Sequence, residues 1–191
     1  PAAMQVMIEK LERADPNACK QILAGGLRDL SDEYYAGEKK KFAECADVDE
    51  YLLRKKQDLL AELEQIMREE RLYFNQEITE EVIEFVRCNP EIGQGVRIGN
   101  VIYETKIPHQ AKEYLAETDE DKKRYYYCHC PWVKESLKAG KSKISPTFCN
   151  CSAAFHKKSW EVIFGQTLQA DVLETVLMGD LRCRFAIHLP T

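Results

Sequence analysis

Through the first half of the chain apolar residues recur three and four positions apart, the spacing of one helix face. Met4, Met7, Ile8 and Leu11 mark a helix over residues 2–14. Asp15-Pro16 reads as an N-cap with proline at the first helical position, opening a second helix to about Leu30. Cys19, Ile22, Leu23 and Leu27 form its inward face. Gly25-Gly26 inside it costs roughly 1 kcal/mol per glycine against alanine, so the pair marks a close helix contact or a break. The clearest pattern spans residues 47–74, where Leu52, Leu59, Leu63 and Ile66 make a stripe that Leu60 and Met67 widen. Lys55, Lys56, Asp58, Glu62, Glu69 and Glu70 form the outer face. The stripe suits the core of one chain, or pairing with a second copy in a homodimer. "TEEV" then opens a helix from Thr79 to about Cys88, and "NPEIG" ends it.

The second half changes period. Gly93, Gly95 and Gly99 spell a loose glycine motif, but a helix precedes it and the strand-like run Val101 to Ile107 follows. A dinucleotide-binding loop needs the opposite order, so the segment predicts a turn and a hairpin. A short helix over 109–117 leads to the acidic turn "TDED". Residues 122–130, with three consecutive tyrosines and then Cys-His-Cys, predict a strand. A helix is expected near 131–138, "KAGKSKISP" reads as a loop, and another helix runs from about Asn150 to Gln166. Ala153, Ala154, Trp160 and Phe164 are its packing positions. The chain closes in a hairpin: Ala170 to Met178, the turn Gly179-Asp180, then Arg182 to Leu189.

The fold class is therefore α+β: a helical N-terminal half, then a small antiparallel sheet with packed helices and a C-terminal β-hairpin. Residues 1–90 form the helical region and 91–191 an α+β cysteine-rich region, the two making one compact unit. The 191 residues carry 45 % hydrophobic side chains, enough for a sizeable core. The net charge of −5 argues against a nucleic-acid partner, which needs a basic face. The run Lys39-Lys40-Lys41 lies between Glu38 and Glu44 and reads as a solvated helix face. No apolar run reaches about 18 residues, which predicts no membrane span. Glu9, Lys10 and Glu12 predict no signal peptide, and the start at Pro1 reads as processing or trimming.

Eight cysteines then change the picture, five of them in the last third. In a chain that looks cytoplasmic they favour metal or catalysis over disulfides. On a strand Cys128 and Cys130 would share one face and His129 the other. Cys149 and Cys151 would sit at a helix start, where the dipole favours thiolate. On the last strand Cys183 shares the core face with Phe185, Ile187 and Leu189, opposite Arg182, Arg184, Ala186 and His188. Four thiolates fill a tetrahedral zinc site, although the one-residue gap in each pair departs from the usual two to four. The expected ligands are Cys130, Cys149, Cys151 and Cys183, with Cys128 as the alternate. An iron–sulfur cluster is a lesser option, because its familiar spacings are absent. The thiols could instead react, pack without chemistry, or pair as disulfides. In the reactive case Cys149 is the nucleophile and His156 or His129 the base. His109 and His188 have weaker claims. Cys19 and Cys45, single on helical stretches, read as small buried apolar residues. Nearby aromatic residues such as Tyr125, Trp132 and Trp160 suit a small apolar or planar ligand.

"VLETVLMGDLRCRFAIHLP" resembles the closing hairpin of the 4-vinyl-reductase-like, hydrocarbon-binding domains, where a Gly-Asp turn precedes Cys-x-Phe on the last strand. The order of Cys128 or Cys130, Phe148-Cys149, Gly179-Asp180, Cys183 and Phe185 is also similar to the L-2-amino-thiazoline-4-carboxylic acid hydrolase-like family. The likeness covers roughly residues 120–191. It implies an α+β ligand-binding fold in a bacterial or archaeal cytosolic protein, with cysteines that hold zinc or line a pocket. Ser152 stands where the hydrolase-like family places an Asp, so that acid/base group is missing here. The expectation is a cytosolic small-molecule-binding or sensory protein with a cysteine-ligated zinc site. The alternative is a cysteine-dependent hydrolase of a small amide or thiazoline-like substrate.

Overall fold

The computed structural model describes residues 2–25, 31–138, 140 and 144–190. The N-terminal half is helical: α1 (Ala2–Ala14), α2 (Pro16–Ala24), α3 (Ala36–Ala43), α4 (Val48–Arg68) and α5 (Glu80–Cys88). Asp15 caps α2 as expected, accepting from the amides of Asn17 and Ala18. Helix α2 ends at Ala24 with Gly25 as its C-cap; the expected continuation to Leu30, with Gly26 and an inward Leu27, lies outside the described residues. Cys19 and Leu23 are buried, but Ile22 and Met7 face solvent. Thr79 caps α5 through the amide of Val82.

Helix α4 ends at Arg68, short of the expected residue 74. Beyond it the chain forms a small hairpin, β1 (Leu72–Tyr73) and β2 (Gln76–Glu77). Phe74 and Asn75 both take positive φ at its tip, the conformation of a tight hairpin turn. Lys56, expected on the outer face of α4, is buried instead. Its Nζ donates to the carbonyls of Val86, Asn89 and Ile92, where α5 ends. The Val86 and Asn89 carbonyls also accept the amides of Asn89 and Ile92, and the flexible lysine stem adds a second donor beyond the helix end.

The glycine motif makes the predicted hairpin, β3 (Val96–Ile98) with β4 (Val101–Thr105), turning at Gly99. At Gly93, φ is +77° and an added Cβ would lie 2.0 Å from Leu59 Cδ2, so α4 packs directly on this backbone. Then follow α6 (Ala111–Ala116), α7 (Glu120–Tyr127), α8 (Pro131–Lys138), α9 (Asn150–Phe164), β5 (Gln169–Glu174) and β6 (Arg184–His188). Among the described residues the main sheet is antiparallel, in the order β3-β4-β6-β5. The closing strand β6 is thus central, with Ile187 opposite Ile102 and Phe185 opposite Glu104. The arrangement is α+β. The hairpin connection is longer than a two-residue turn: Thr175–Asp180 close a loop in which Asp180 Oδ2 accepts from the Thr175 amide at 2.9 Å.

The tyrosine run is helical, which corrects the expected strand over 122–130. Asp119 caps α7 through the amide of Lys122, and Glu120 and Asp121 follow in the first turn. Arg124 pairs with Asp121 at 2.7 Å, three residues away. These local signals outweigh the strand preference of tyrosine, which holds only where a sheet offers a place. Tyr127 alone of the three is fully buried.

The core crosses the boundary near residue 90. Ile8, Cys19 and Leu23 pack with Tyr127, Phe148, Cys183 and Phe185. Leu63 and Ile66 of α4 pack with Val82, Ile83 and Val86 of α5. Tyr51 and Leu52 pack with Ile102, Trp160 and Ile187. The α4 stripe is therefore used inside the chain. Among the described residues no helix is long and apolar enough to cross a membrane.

Candidate functional site

Five cysteines from three separate segments line one cavity of about 30 Å³. Cys128 and Cys130 come from the link between α7 and α8. Cys149 and Cys151 come from a 3-10 turn, Pro146–Cys149, and the start of α9. Cys183 comes from the residue before β6. Its core-facing position is as expected, with Phe185 and Ile187 also buried. Lys106, His129 and Ser152 complete the polar part of the wall.

The extended link after α7, with Cys128 at φ −72° and ψ 129°, corrects the expected geometry of Cys-His-Cys. All three residues line the cavity, whereas strand alternation sends His129 away. Tyr127 holds the link in place: its Oη donates to the Lys106 carbonyl at 2.9 Å. His129 Nε2 lies 2.7 Å from the Ile107 carbonyl. A carbonyl only accepts, so Nε2 carries the proton and Nδ1 keeps its lone pair. Burial, with Lys106 adding, pushes the His129 imidazole down to about 3.

Three of the thiols, Cys128, Cys149 and Cys183, are held protonated. Burial pushes Cys128 up to about 12, with Cys183 adding. Burial likewise raises Cys149, and Cys183 and Cys128 raise it further while Thr175 hydrogen-bonds to it and opposes. Cys183 is raised by burial and lowered in part by Lys106. The thiolate expected of Cys149 from its place at a helix start therefore loses to desolvation. Lys106 donates to Ser152 Oγ at 2.8 Å, and no carboxylate pairs with it among the described residues. Cys19 is buried in the core and Cys45 Sγ donates to the Lys41 carbonyl, both as packing residues. Cys88 is exposed, and no disulfide is formed among the described residues.

His156 does not line the cavity. It belongs to a second polar cluster built on Glu104. His156 Nδ1 lies 2.8 Å from Glu104 Oε2, and Trp160 Nε1 donates to Glu104 Oε1 at 3.1 Å. Lys55 Nζ is 3.7 Å from the same carboxylate. The imidazole stacks on Phe185 with centroids 4.8 Å apart. The pairing of His156 with Cys149 expected of a hydrolase is therefore not formed. Glu104 and Lys106 were legible only as charges in phase with the apolar Ile102, two positions apart on a strand.

Among the described residues no group of three His, Cys, Asp or Glu side chains has the geometry to hold a metal ion as it stands. Comparison with known protein families, curated proteins and solved structures finds no match.

Proposed function

We propose that this protein binds a thiophilic metal ion, zinc first, in the cysteine-lined cavity, and serves as a binding or sensory protein of a reducing compartment such as the cytoplasm. One observation carries the reading: five thiols and a histidine from three segments meet at a single cavity. Its size supports an ion over an organic ligand. A volume of about 30 Å³ takes about one water or ion, and pockets for organic ligands run to several hundred. Binding asks the thiols to give up their protons and turn inward about χ1, which the metal drives. The hydrolase alternative has less support, because its nucleophile is buried and protonated, and of its two candidate bases His156 is engaged by Glu104 while burial holds His129 far below the usual imidazole range.

The test is metal analysis of the full chain after anaerobic purification, followed by zinc titration against a chromophoric chelator. Near one equivalent, bound more tightly as pH rises, is the expected result. Less than about a tenth of an equivalent, with no competition against the chelator, overturns the reading.

A further inference from the structure

Resting on that reading, we propose that His129 is the nitrogen ligand of the site, so that the ion is held by three thiolates and the Nδ1 of His129. The geometry is the one a ligating imidazole adopts. Metal-bound histidines donate their other ring N–H to a carbonyl or carboxylate, which sets the tautomer and aims the free nitrogen. His129 makes that bond with the Ile107 carbonyl at 2.7 Å. The hydrogen bond reaches across from the end of β4 to the link after α7, and so orients the ring before any ion arrives. The ring is further held edge-on by His109, with centroids 5.1 Å apart. His109 itself is engaged by Lys134, with Nζ 3.2 Å from its Nδ1, and is not among the cavity's lining residues.

Charge points the same way. The cavity wall carries Lys106 as its cation, which donates to a serine hydroxyl, lies over the Phe185 ring and has no carboxylate partner among the described residues. A zinc ion with three thiolates and a neutral imidazole has a net charge of −1, which Lys106 balances. Four thiolates leave one negative charge uncompensated in a site walled by Val133, Phe148 and Val176. A buried unpaired charge is costly, so the mixed set is favoured.

Zinc-edge X-ray absorption on the full chain loaded with one equivalent of zinc reads the ligand set directly. The expected shell is three sulfurs at about 2.3 Å and one nitrogen at about 2.0 Å. A shell of four sulfurs overturns the assignment of His129 and leaves the metal reading standing. No zinc bound at all overturns the metal reading, and this inference with it. His129→Ala should weaken zinc at least about tenfold, and His129→Cys should restore binding with an all-sulfur shell. A folded His129→Ala variant with unchanged affinity and unchanged shell overturns the inference.

Discussion

Glu104 is the most heavily engaged carboxylate of the core, and replacing it with glutamine keeps its shape while removing its charge. The carboxylate offers an acceptor oxygen to Trp160 Nε1–H and another to His156 Nδ1. An amide has one oxygen for the two donors, so one buried N–H is left facing an NH2 group. That orphan costs about 1–3 kcal/mol. Lys55 also loses its anion, adding up to about 1 kcal/mol for a partly exposed pair. Glu104→Gln should therefore destabilise the fold by about 1–4 kcal/mol at pH 7. Urea unfolding followed by tryptophan fluorescence measures this, because Trp160 reports from the cluster itself. The pH dependence supplies an independent check. Burial alone would raise the Glu104 carboxyl, but Lys55, His156 and Trp160 outweigh it and hold it below the usual range. A depressed carboxyl contributes stability that is complete above its unfolded pKa, about 4.3, and is lost as pH falls through the lower folded value. The gap between wild type and variant should then narrow below about pH 4, where the carboxyl takes up its proton. A loss under about 0.5 kcal/mol at pH 7, or a gap that does not narrow below about pH 4, refutes the account.

Lys56→Met should cost about 1–3 kcal/mol in urea unfolding, because three carbonyls beyond α5 lose their shared donor while Val86 and Asn89 keep their backbone amides. Lys56→Arg should not rescue it, since a planar guanidinium does not fit a site shaped for a point charge. Gly93→Ala should cost about 2 kcal/mol or more, because its φ is positive and the new Cβ would strike Leu59; Gly99→Ala, also at positive φ but facing open space, should cost about 1 kcal/mol. Iodoacetamide at pH 7 should label Cys88 first and leave Cys128, Cys149 and Cys183 unlabelled until urea unfolds the chain. Early labelling of Cys149, read by mass spectrometry, would restore the nucleophile reading.

Where a feature is local, the chain spelled it out. The caps Asp15 and Thr79, the hairpin at Gly99 and the helix from Asn150 all follow from contacts a few residues apart. So does the inward face of Cys183, Phe185 and Ile187, since alternation needs only a strand. The misreadings came where two local signals competed. The triple tyrosine favoured a strand, while Asp119 and the acidic residues after it favoured a helix, and the helix prevailed. Residue type alone puts Lys56 outside and Ile22 inside, yet one reaches the end of a neighbouring helix and the other faces solvent.

The sequence by itself determined an α+β chain with a helical first half, and that five of its eight cysteines would lie in the last third. Those follow from periodicity, capping and count, which are properties of neighbours along the chain. Only the tertiary structure decided which groups share a cavity. It turned His129 toward the thiols by ending α7 at Tyr127, brought Lys106 to the same wall, and took His156 away to Glu104. The physical reason is that partners in a site are set by the packing of α7, α9 and the central strand β6. Such packing depends on contacts tens of residues apart, of which local pattern carries no record.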